Sequence, residues 1–336
     1  MSLSVCVCKP GAYDPTFQKL FDPLLNKVKR IVFGEKVIDF ADVKKGNEAI
    51  ALFVEAAISR DVIKDLCDDY GLKDRRVKFI YSSTVGVDIY NFHEMKREIA
   101  NINVYNGRGC YTVALKEHVL FSVLYFNRQC WRMNQSKALK KWDRYNMILL
   151  GGQKLVIVGY GEIGQSCGKA AAALGMDVIG IRKTPPTREF DENGVRLMPL
   201  SAVGEAIADA DVVLAVLPLT EESRGYFNQA FFRQMKPSAI FINIGRGSTH
   251  CEKDLVEALQ QGVIRGAALD VFEVEPLPQT SPLWEMPDDK LLLTSHCADF
   301  YEEMDQVYVD RFIKITEAFL QNQPINEYLV DVNRSY

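Results

Sequence analysis

The stretch from Leu155 to Arg182 restricts the fold of this chain more than any other part of the sequence. An apolar run, LVIV, leads into the glycine turn GYGEIG, an alanine-rich helical segment follows, and a second apolar run, DVIGI, ends at Arg182. The GxGxxG spacing of Gly159, Gly161 and Gly164 permits a tight turn, close approach of the backbone to a diphosphate, and packing of the helix on the strand. The stretch therefore predicts a strand, turn, helix and strand that bind a dinucleotide at the positive end of the helix.

The residues that end the second strand indicate which dinucleotide binds. NAD sites have an acidic residue there, which accepts hydrogen bonds from the ribose hydroxyls and repels a 2′-phosphate. Arg182 and Lys183 stand at that place instead, followed by Thr184, and a guanidinium pairs with phosphate oxygens in a bidentate fork. We therefore expect NADP(H) to be preferred, with NAD(H) as a second cofactor. The alternative is that Arg182 is a solvated loop residue beside a site that takes NAD(H).

Short apolar runs alternate with helical segments along most of the chain, and this alternation predicts an α/β protein with parallel sheets. Four runs precede residue 106 (SVCVC, ALFVEAA, VKFIYSS and NINVYN), and six follow residue 150 (LVIVG, DVIGI, VVLAVLP, AIFINIG, GAALDVF and LLLTSH). The second series is typical of a doubly wound nucleotide-binding domain. Between them, Cys110 to Lys141 predicts one long helix whose first half is apolar nearly all round and therefore buried. The segment from Tyr301 to Asn322 predicts a final helix that returns to the first domain.

Composition excludes several classes of partner. The 336 residues carry a net charge of −4, with acids and bases interspersed, so neither nucleic acid nor an anionic membrane surface is an expected partner. No apolar run has the roughly 18 residues of a membrane span, and the N-terminus lacks the pattern of a secretory signal. The eight cysteines have no paired CxxC spacing, so no metal site is expected. We expect a cytoplasmic protein that binds small molecules.

Three polar residues stand where predicted strands end: Arg246 in INIGRGS, Glu275 in LDVFEVEP and His296 in LLLTSH. Ligands of doubly wound sheets bind outside the carboxyl ends of the strands. Taken singly, they could be a surface turn, a solvated charge and a core imidazole. Together they suit hydride transfer between a nicotinamide and a 2-oxo acid, with histidine as the proton donor, the carboxylate as its partner and arginine on the substrate.

The motifs VGYGEIG, VLPLT, INIGRGSTHCEKDLVEAL, GAALDVFEVEPLP and SPLWEMPDDKLLLTSH closely resemble those of the D-isomer-specific 2-hydroxyacid dehydrogenases, a family that includes glyoxylate/hydroxypyruvate reductases. The resemblance implies a Rossmann cofactor domain, residues 106–297, inserted into a flavodoxin-like substrate domain of residues 1–105 and 298–336. It also implies a homodimer. The implied activity is NADPH-preferring reduction of glyoxylate, hydroxypyruvate or an aryl pyruvate to the D-hydroxy acid, with His296 as acid/base.

The resemblance also implies roles for individual residues. Arg246, Glu275 and His296 are the catalytic set, and Arg246 also binds substrate. The turn STVGVD resembles the family's GxGVD loop, in which the backbone N–H groups of Val85 and Gly86 hold the substrate carboxylate. The implied cofactor-binding residues are Gly159, Tyr160, Gly161, Glu162, Ile163, Gly164, Arg182, Lys183, Thr184, Leu217, Pro218, Thr220 and, near the nicotinamide ring, Asp270.

The sequence departs from the family pattern at three places. Thr84 replaces the first glycine of the substrate loop, and His250 and Cys251 stand where valine and aspartate are usual. After His296 the sequence reads CADF instead of a small, glycine-containing segment. We expect Asp299 to cap the C-terminal helix, the alternative being a carboxylate at the rim of the active site.

Two functions stay open on the sequence alone. The first is the reductase. The second is a nucleotide-sensing transcriptional corepressor, because a branch of such binding proteins has the same fold and resembles the enzymes even at the arginine, glutamate and histidine positions. The basic residues at the ribose site favour the reductase.

Overall fold

The computed structural model describes residues 2–69, 75–323 and 325–332. The chain folds into two compact units, Met1–Cys110 with Tyr301–Tyr336, and Tyr111–Phe300. The first unit is therefore discontinuous in sequence, and the second is inserted into it. The boundaries that we predicted, after residues 105 and 297, differ from these by only a few residues. Each unit contains one parallel sheet, so the predicted α/β class with two doubly wound domains is confirmed.

The sheet of the first unit has five parallel strands in the order β2-β1-β3-β4-β5. Strands β1 and β3 are buried along their whole length, as is usual for parallel strands covered on both faces. Strand β2, with the sequence RIVFG, was not predicted; it lies at the sheet edge, is mostly half-buried, and follows a charged segment. The strands are β1 (Leu3–Cys8), β2 (Arg30–Gly34), β3 (Ala49–Val54), β4 (Val77–Ser82) and β5 (Asn103–Tyr105).

The sheet of the second unit has seven parallel strands in the order β12-β11-β10-β9-β6-β7-β8. The six predicted strands are all present, and β8 is an additional edge strand of sequence RLMP, too short and too polar for its pattern to stand out. Strand order reverses between β6 and β9, next to the glycine turn, where ligands of such sheets bind. The strands are β6 (Lys154–Val158), β7 (Asp177–Arg182), β8 (Arg196–Pro199), β9 (Val212–Ala215), β10 (Ile240–Asn243), β11 (Gly266–Leu269) and β12 (Leu291–Leu293).

Helices connect the strands of both sheets. The described residues contain no helix with the length and apolar character of a membrane span. The α-helices are α1 (Pro15–Lys19), α2 (Ala41–Lys44), α3 (Ser59–Leu66), α4 (Thr112–Arg128), α5 (Cys130–Ala138), α6 (Glu162–Ala173), α7 (Val203–Ile207), α8 (Gln229–Phe232), α9 (Glu252–Gln260) and α10 (Met304–Leu320). Short 3-10 helices occupy Asp22–Leu24, Val37–Phe40, Asp88–Tyr90, Phe92–Glu94, Leu200–Ala202, Gly247–Thr249 and Pro282–Glu285.

The prediction of one long helix from Cys110 to Lys141 is wrong, because the helix is interrupted at Gln129. That residue adopts a left-handed conformation with φ 53°, and its N–H caps the end of α4 before α5 begins. The first half is not buried all round either, since Val113 is 57% and Phe121 is 48% exposed. An apolar pattern without clear periodicity did not reveal which face is covered.

Helix α10 returns to the first unit, as the sequence predicted. Its Phe312 ring lies 5.5 Å from the ring of Phe53, 6.0 Å from Phe79 and 5.8 Å from Tyr81, measured between centroids. Aromatic pairs at such distances contribute about 0.5–1.5 kcal/mol each beyond the area that they bury. The C-terminal segment thus completes the core of a domain whose strands all lie before residue 106.

Candidate active site

The glycine turn between β6 and α6 has the shape that a diphosphate requires. Gly159 has φ 106°, and a Cβ there would collide with the carbonyl oxygen of Val216. A Cβ on Gly164 would lie 2.6 Å from the oxygen of Gly159, so α6 packs directly on the turn. A Cβ on Gly161, by contrast, would have no atom within 4 Å. Open space therefore lies beside the first turn of α6, whose N–H groups have no partners within the helix, and a dinucleotide fits this arrangement.

Tyr160, in the glycine turn, has a side chain that is buried in the second unit. Its side chain is only 3% exposed, its ring lies against Gly180, and its hydroxyl donates to Oδ2 of Asp191 at 2.6 Å. Burial acts to raise the pKa of Asp191, but hydrogen bonds from Tyr160 and from two backbone N–H groups lower it below its usual value. Among the residues assigned to the cofactor, Tyr160 therefore offers its backbone only. Sequence reasoning missed Asp191, because no motif links it to a tyrosine on another loop.

Positive charge lies at the end of β7, where the ribose of a dinucleotide is expected. Arg182 is the last residue of the strand and is exposed, and its guanidinium has no ion pair with any residue that the structure describes. Lys183 forms an ion pair with Glu222 from the loop after β9, and both side chains are 71% exposed. Thr184 is exposed beside them. Glu222 was not predicted, because it lies 39 positions away from Lys183 in the sequence.

The loop after β9 carries the residues assigned to the adenosine. Leu217 is half-buried against the core of the unit, Thr220 is half-buried as well, and Pro218 is exposed. Ser223 fixes the course of this loop: its hydroxyl donates to the carbonyl oxygen of Pro218 at 2.7 Å and accepts from the N–H of Thr220 at 2.8 Å. No motif in the sequence points to this serine, because its role depends on the local turn.

Arg246 and Glu275 belong to loops that lie directly against each other. The carbonyl oxygen of Arg246 accepts from the hydroxyl of Thr249 at 2.6 Å, which fixes the loop after β10. A Cβ on Gly247 would collide with the backbone carbonyl of Phe272 in the loop after β11. Only glycine allows this approach, and the positive charge of Arg246 contributes to lowering the pKa of Glu275.

Glu275 and His296 form a hydrogen-bonded pair. Nδ1 of His296 lies 2.7 Å from Oε2 of Glu275, while Oε1 accepts from the N–H of Phe272 at 2.8 Å. The hydrogen bond to Glu275 raises the pKa of His296, with burial opposing it. Burial also acts to raise the pKa of Glu275, but its hydrogen bonds lower it below the usual value. The imidazolium is therefore favoured. The His296 side chain is 42% exposed, and its φ of 49° is a left-handed conformation that is uncommon for residues other than glycine.

Asp270 holds the loop that carries His296. Its side chain is buried, and Oδ1 accepts from the hydroxyl of Thr294 at 2.6 Å and from the N–H of Cys297 at 3.0 Å. The N–H of Ala298 completes the set, at 3.2 Å from each carboxylate oxygen. The structure thus shows that Asp270 fixes the loop on both sides of the histidine. Contact with the nicotinamide remains a prediction.

Asp299 does not cap the C-terminal helix, so that expectation is wrong. Helix α10 begins at Met304, and its N-cap position is Glu303. Asp299 lies instead within a separate turn before the helix, in which the N–H of Phe300 donates to the carbonyl oxygen of Cys297. Oδ1 of Asp299 is buried and has no hydrogen-bond partner among the described residues.

His250 is a core residue and forms no hydrogen bond with Glu275 or His296. It is 1% exposed, its Nδ1 lies 2.9 Å from the amide nitrogen of Asn243, and its ring faces Phe241. Burial lowers its pKa to about 4. The imidazole is therefore neutral near pH 7 and is unsuited to proton exchange there.

The substrate loop lies in the first unit and is closed by Thr84. The Thr84 hydroxyl donates to the carbonyl oxygen of Gly86 at 2.9 Å, and the amide of Asn106 donates to the oxygen of Val85 at 2.7 Å. Within the described chain, the N–H groups of Val85 and Gly86 have no acceptor. Threonine therefore replaces the usual glycine without occupying these two donors, and they are available to an anion.

The family is identified by comparison with known proteins. Residues 120–298 match the model of the "D-isomer specific 2-hydroxyacid dehydrogenase, NAD binding domain". This chain belongs to that family. It is an NAD(P)-dependent oxidoreductase acting on 2-hydroxy acids or the corresponding 2-oxo acids.

Individual relatives agree with this assignment. A hydroxypyruvate reductase of Blautia hydrogenotrophica is 30% identical over 259 residues, 74% of this chain and 78% of the relative. A D-3-phosphoglycerate dehydrogenase of Methanocaldococcus jannaschii is 30% identical over 84% of this chain but only 53% of its own length. A crystal structure of a family member from Aeromonas salmonicida superposes with a TM-score of 0.81 at 26% identity, covering 98% of this chain and 99% of the other. An NADPH-dependent glyoxylate/hydroxypyruvate reductase of Sinorhizobium meliloti, crystallised with NADP and sulfate, has a TM-score of 0.80 at 24% identity and full coverage of both chains.

Proposed function

We propose that this 2-hydroxyacid dehydrogenase works as an NADPH-preferring reductase of small 2-oxo acids, such as glyoxylate, hydroxypyruvate or an aryl pyruvate, and yields the D-hydroxy acid. The observation that carries the proposal is the pair of Glu275 and His296, linked at 2.7 Å beside Arg246 at the carboxyl ends of adjacent strands. The pair is partly exposed, so a small molecule can reach the imidazole.

The side chains divide the work of carbonyl reduction. When bound, the reduced nicotinamide supplies a hydride to the carbonyl carbon. The imidazolium of His296 gives a proton to the carbonyl oxygen and becomes neutral, so that this oxygen, still bonded to carbon, becomes the hydroxyl group of the product. Glu275 keeps the ring oriented and favours its protonated form beforehand. Arg246 binds the carboxylate or the carbonyl oxygen and stabilises the negative charge that develops there.

The remaining assigned residues position cofactor and substrate. The N–H groups of Val85 and Gly86 bind the substrate carboxylate, since they lack acceptors in the described chain. The start of α6 binds the diphosphate, and Arg182 binds the 2′-phosphate. Lys183 adds charge at the same place once its ion pair with Glu222 opens, which costs little because surface pairs are worth about 0–1 kcal/mol.

The proposed assembly is a homodimer formed through the second unit. Helix α5 and the segment after it expose large apolar side chains, with Leu139 at 74%, Trp142 at 92% and Leu149 at 68%. Exposed apolar surface of this kind is typical of an interface. Light scattering coupled to size-exclusion chromatography checks the mass, and Trp142→Lys should shift it towards that of one chain.

Initial rates test the function directly. Glyoxylate, hydroxypyruvate and phenylpyruvate are offered with NADPH and with NADH to the natural protein and to Arg182→Ala. We expect NADPH to be preferred, and the preference to fall at least about tenfold in the variant, because a charge-assisted phosphate contact is lost. Equal use of the two cofactors would refute the proposed role of Arg182 in cofactor preference. Failure to reduce any 2-oxo acid would overturn the proposed reaction.

A further inference from the structure

Asp299 is an acidic residue of the second unit, and the described residues leave its side chain without a hydrogen bond. Oδ1 is buried without a hydrogen-bond partner, and no described residue forms an ion pair with Asp299. A buried carboxylate oxygen without a donor costs free energy, about 1–3 kcal/mol or more for a charged group. Such a cost is tolerated where a ligand supplies the missing donor.

The position of Asp299 is fixed by the same residue that fixes the catalytic histidine. Asp270 accepts from the N–H groups of Cys297 and Ala298, the two residues that separate His296 from Asp299. The turn from Cys297 to Phe300 is then closed by its own backbone hydrogen bond. Asp299 therefore sits on a rigid turn and is not a loop residue free to turn towards solvent.

The charges of the active site act on Asp299. Burial raises the pKa of its carboxyl, while the positive charges of His296 and Arg246 oppose the rise. In return, Asp299 is one of the charges that help to raise the pKa of His296. The carboxyl is thus electrostatically part of the site in which we place substrate reduction.

We propose that Asp299 determines substrate specificity: its unpaired oxygen selects 2-oxo acids whose side chain bears a positively charged hydrogen-bond donor, and its charge disfavours those with a second anionic group. This inference rests on the proposed function and names the substrate class for it. A cationic nitrogen group supplies the donor that Oδ1 lacks. A side-chain phosphate or carboxylate leaves that oxygen unpaired and adds repulsion, so the chain should discriminate against phosphorylated hydroxypyruvate.

Three phenylpyruvates test the selection. The 4-guanidino and 4-carboxy compounds carry planar para substituents of similar size and opposite charge, and unsubstituted phenylpyruvate is the uncharged reference. We compare kcat/KM with NADPH for the natural protein, for Asp299→Asn and for Asp299→Ala. Glu302→Gln is the matched control, because it removes one negative charge from an exposed side chain three positions along the chain. The natural protein should favour the guanidino over the carboxy compound by about tenfold or more, mainly through KM, since opposite unit charges in a partly buried site interact by more than the free energy of a tenfold change.

In Asp299→Asn and Asp299→Ala the ratio of kcat/KM for the guanidino compound to kcat/KM for the carboxy compound should approach one. Glu302→Gln should keep the natural ratio. The kcat/KM for unsubstituted phenylpyruvate should change little in any variant. An unchanged ratio in Asp299→Asn would overturn the inference. Calorimetric titration of the three corresponding D-aryl-lactates into the NADP-loaded protein separates the two proposals. Binding that follows charge without any turnover would leave the specificity role standing and refute the reaction. Turnover whose selectivity is independent of Asp299 would refute the specificity role and leave the proposed reaction standing.

Discussion

Replacing His250 by valine should flatten the dependence of stability on pH, and the size of this effect can be worked out from burial. The pKa of His250 is about 4 in the folded protein, because the ring is removed from water, and 6.5 is the ordinary value in an unfolded chain. Above pH 6.5 the imidazole is neutral in both states and costs nothing. As the pH falls from 6.5 towards 4, the unfolded chain takes up a proton that the folded chain does not, and stability is lost.

The full difference of about 2.5 pKa units corresponds to ~3.4 kcal/mol at 1.36 kcal/mol per unit. Between pH 7 and pH 5 the same two pKa values give a loss of about 1.8 kcal/mol. His250→Val removes this contribution. Valine also leaves some empty space beside Phe241, but a cavity destabilises equally at both pH values. The diagnostic quantity is therefore the change in the slope of unfolding free energy against pH, and not the stability at one pH.

Urea unfolding followed by tryptophan fluorescence is the suitable assay. All three tryptophans, Trp131, Trp142 and Trp284, lie in the unit that contains His250, so the signal reports that unit. His93→Gln is the control, since the His93 side chain is 66% exposed and belongs to the other unit. Equal slopes of unfolding free energy against pH in the natural protein and in His250→Val would refute the burial argument.

Three further variants test the second unit. Glu275→Gln should lower the pKa of His296, because the hydrogen bond that raises this pKa most is lost. The fall of the reductive kcat/KM with rising pH should therefore begin at lower pH. A pH profile identical to that of the natural protein would contradict the pairing. Gly247→Ala should reduce kcat/KM at least about 100-fold, because the added methyl group collides with the carbonyl of Phe272 and separates the loops after β10 and β11. Thermal unfolding shows whether this variant still folds. Gln129→Gly should be more stable than Gln129→Ala by about 1 kcal/mol in urea unfolding, because both lose the hydrogen bond from Nε2 of Gln129 to the carbonyl oxygen of Asn146 and only glycine adopts the left-handed conformation without strain.

The sequence predicts much of this structure because its signals are local. The glycine turn, the strand after it and the six apolar runs of the second unit each lie within a few residues, and all are present as predicted. The candidate catalytic residues could be named for the same reason, since each lies in the loop that follows a strand. Edge strands β2 and β8 were missed, because short, half-exposed segments lack a clear hydrophobic pattern.

What the sequence could not predict depends on contacts between distant positions. The pairing of Lys183 with Glu222 and of Tyr160 with Asp191 joins separate loops, and no spacing reveals it. Asp299 was misassigned for a related reason: an acidic residue shortly before a helix resembles a cap, and only the three-dimensional course of the turn shows that α10 begins later. Propensity describes the chain locally, whereas these roles are set by packing.

The order of strands in the second sheet separates two kinds of chemistry. His296, Glu275 and Arg246 follow β12, β11 and β10, which form one side of the sheet, whereas the glycine turn and Arg182 follow β6 and β7 on the other. The proposed function therefore assigns proton transfer and nucleotide recognition to opposite halves of one sheet, with β9 between them. If the proposed roles hold, a change at the end of β7 alters the choice of pyridine nucleotide and leaves the acid–base residues untouched. Selection can act on the two traits independently.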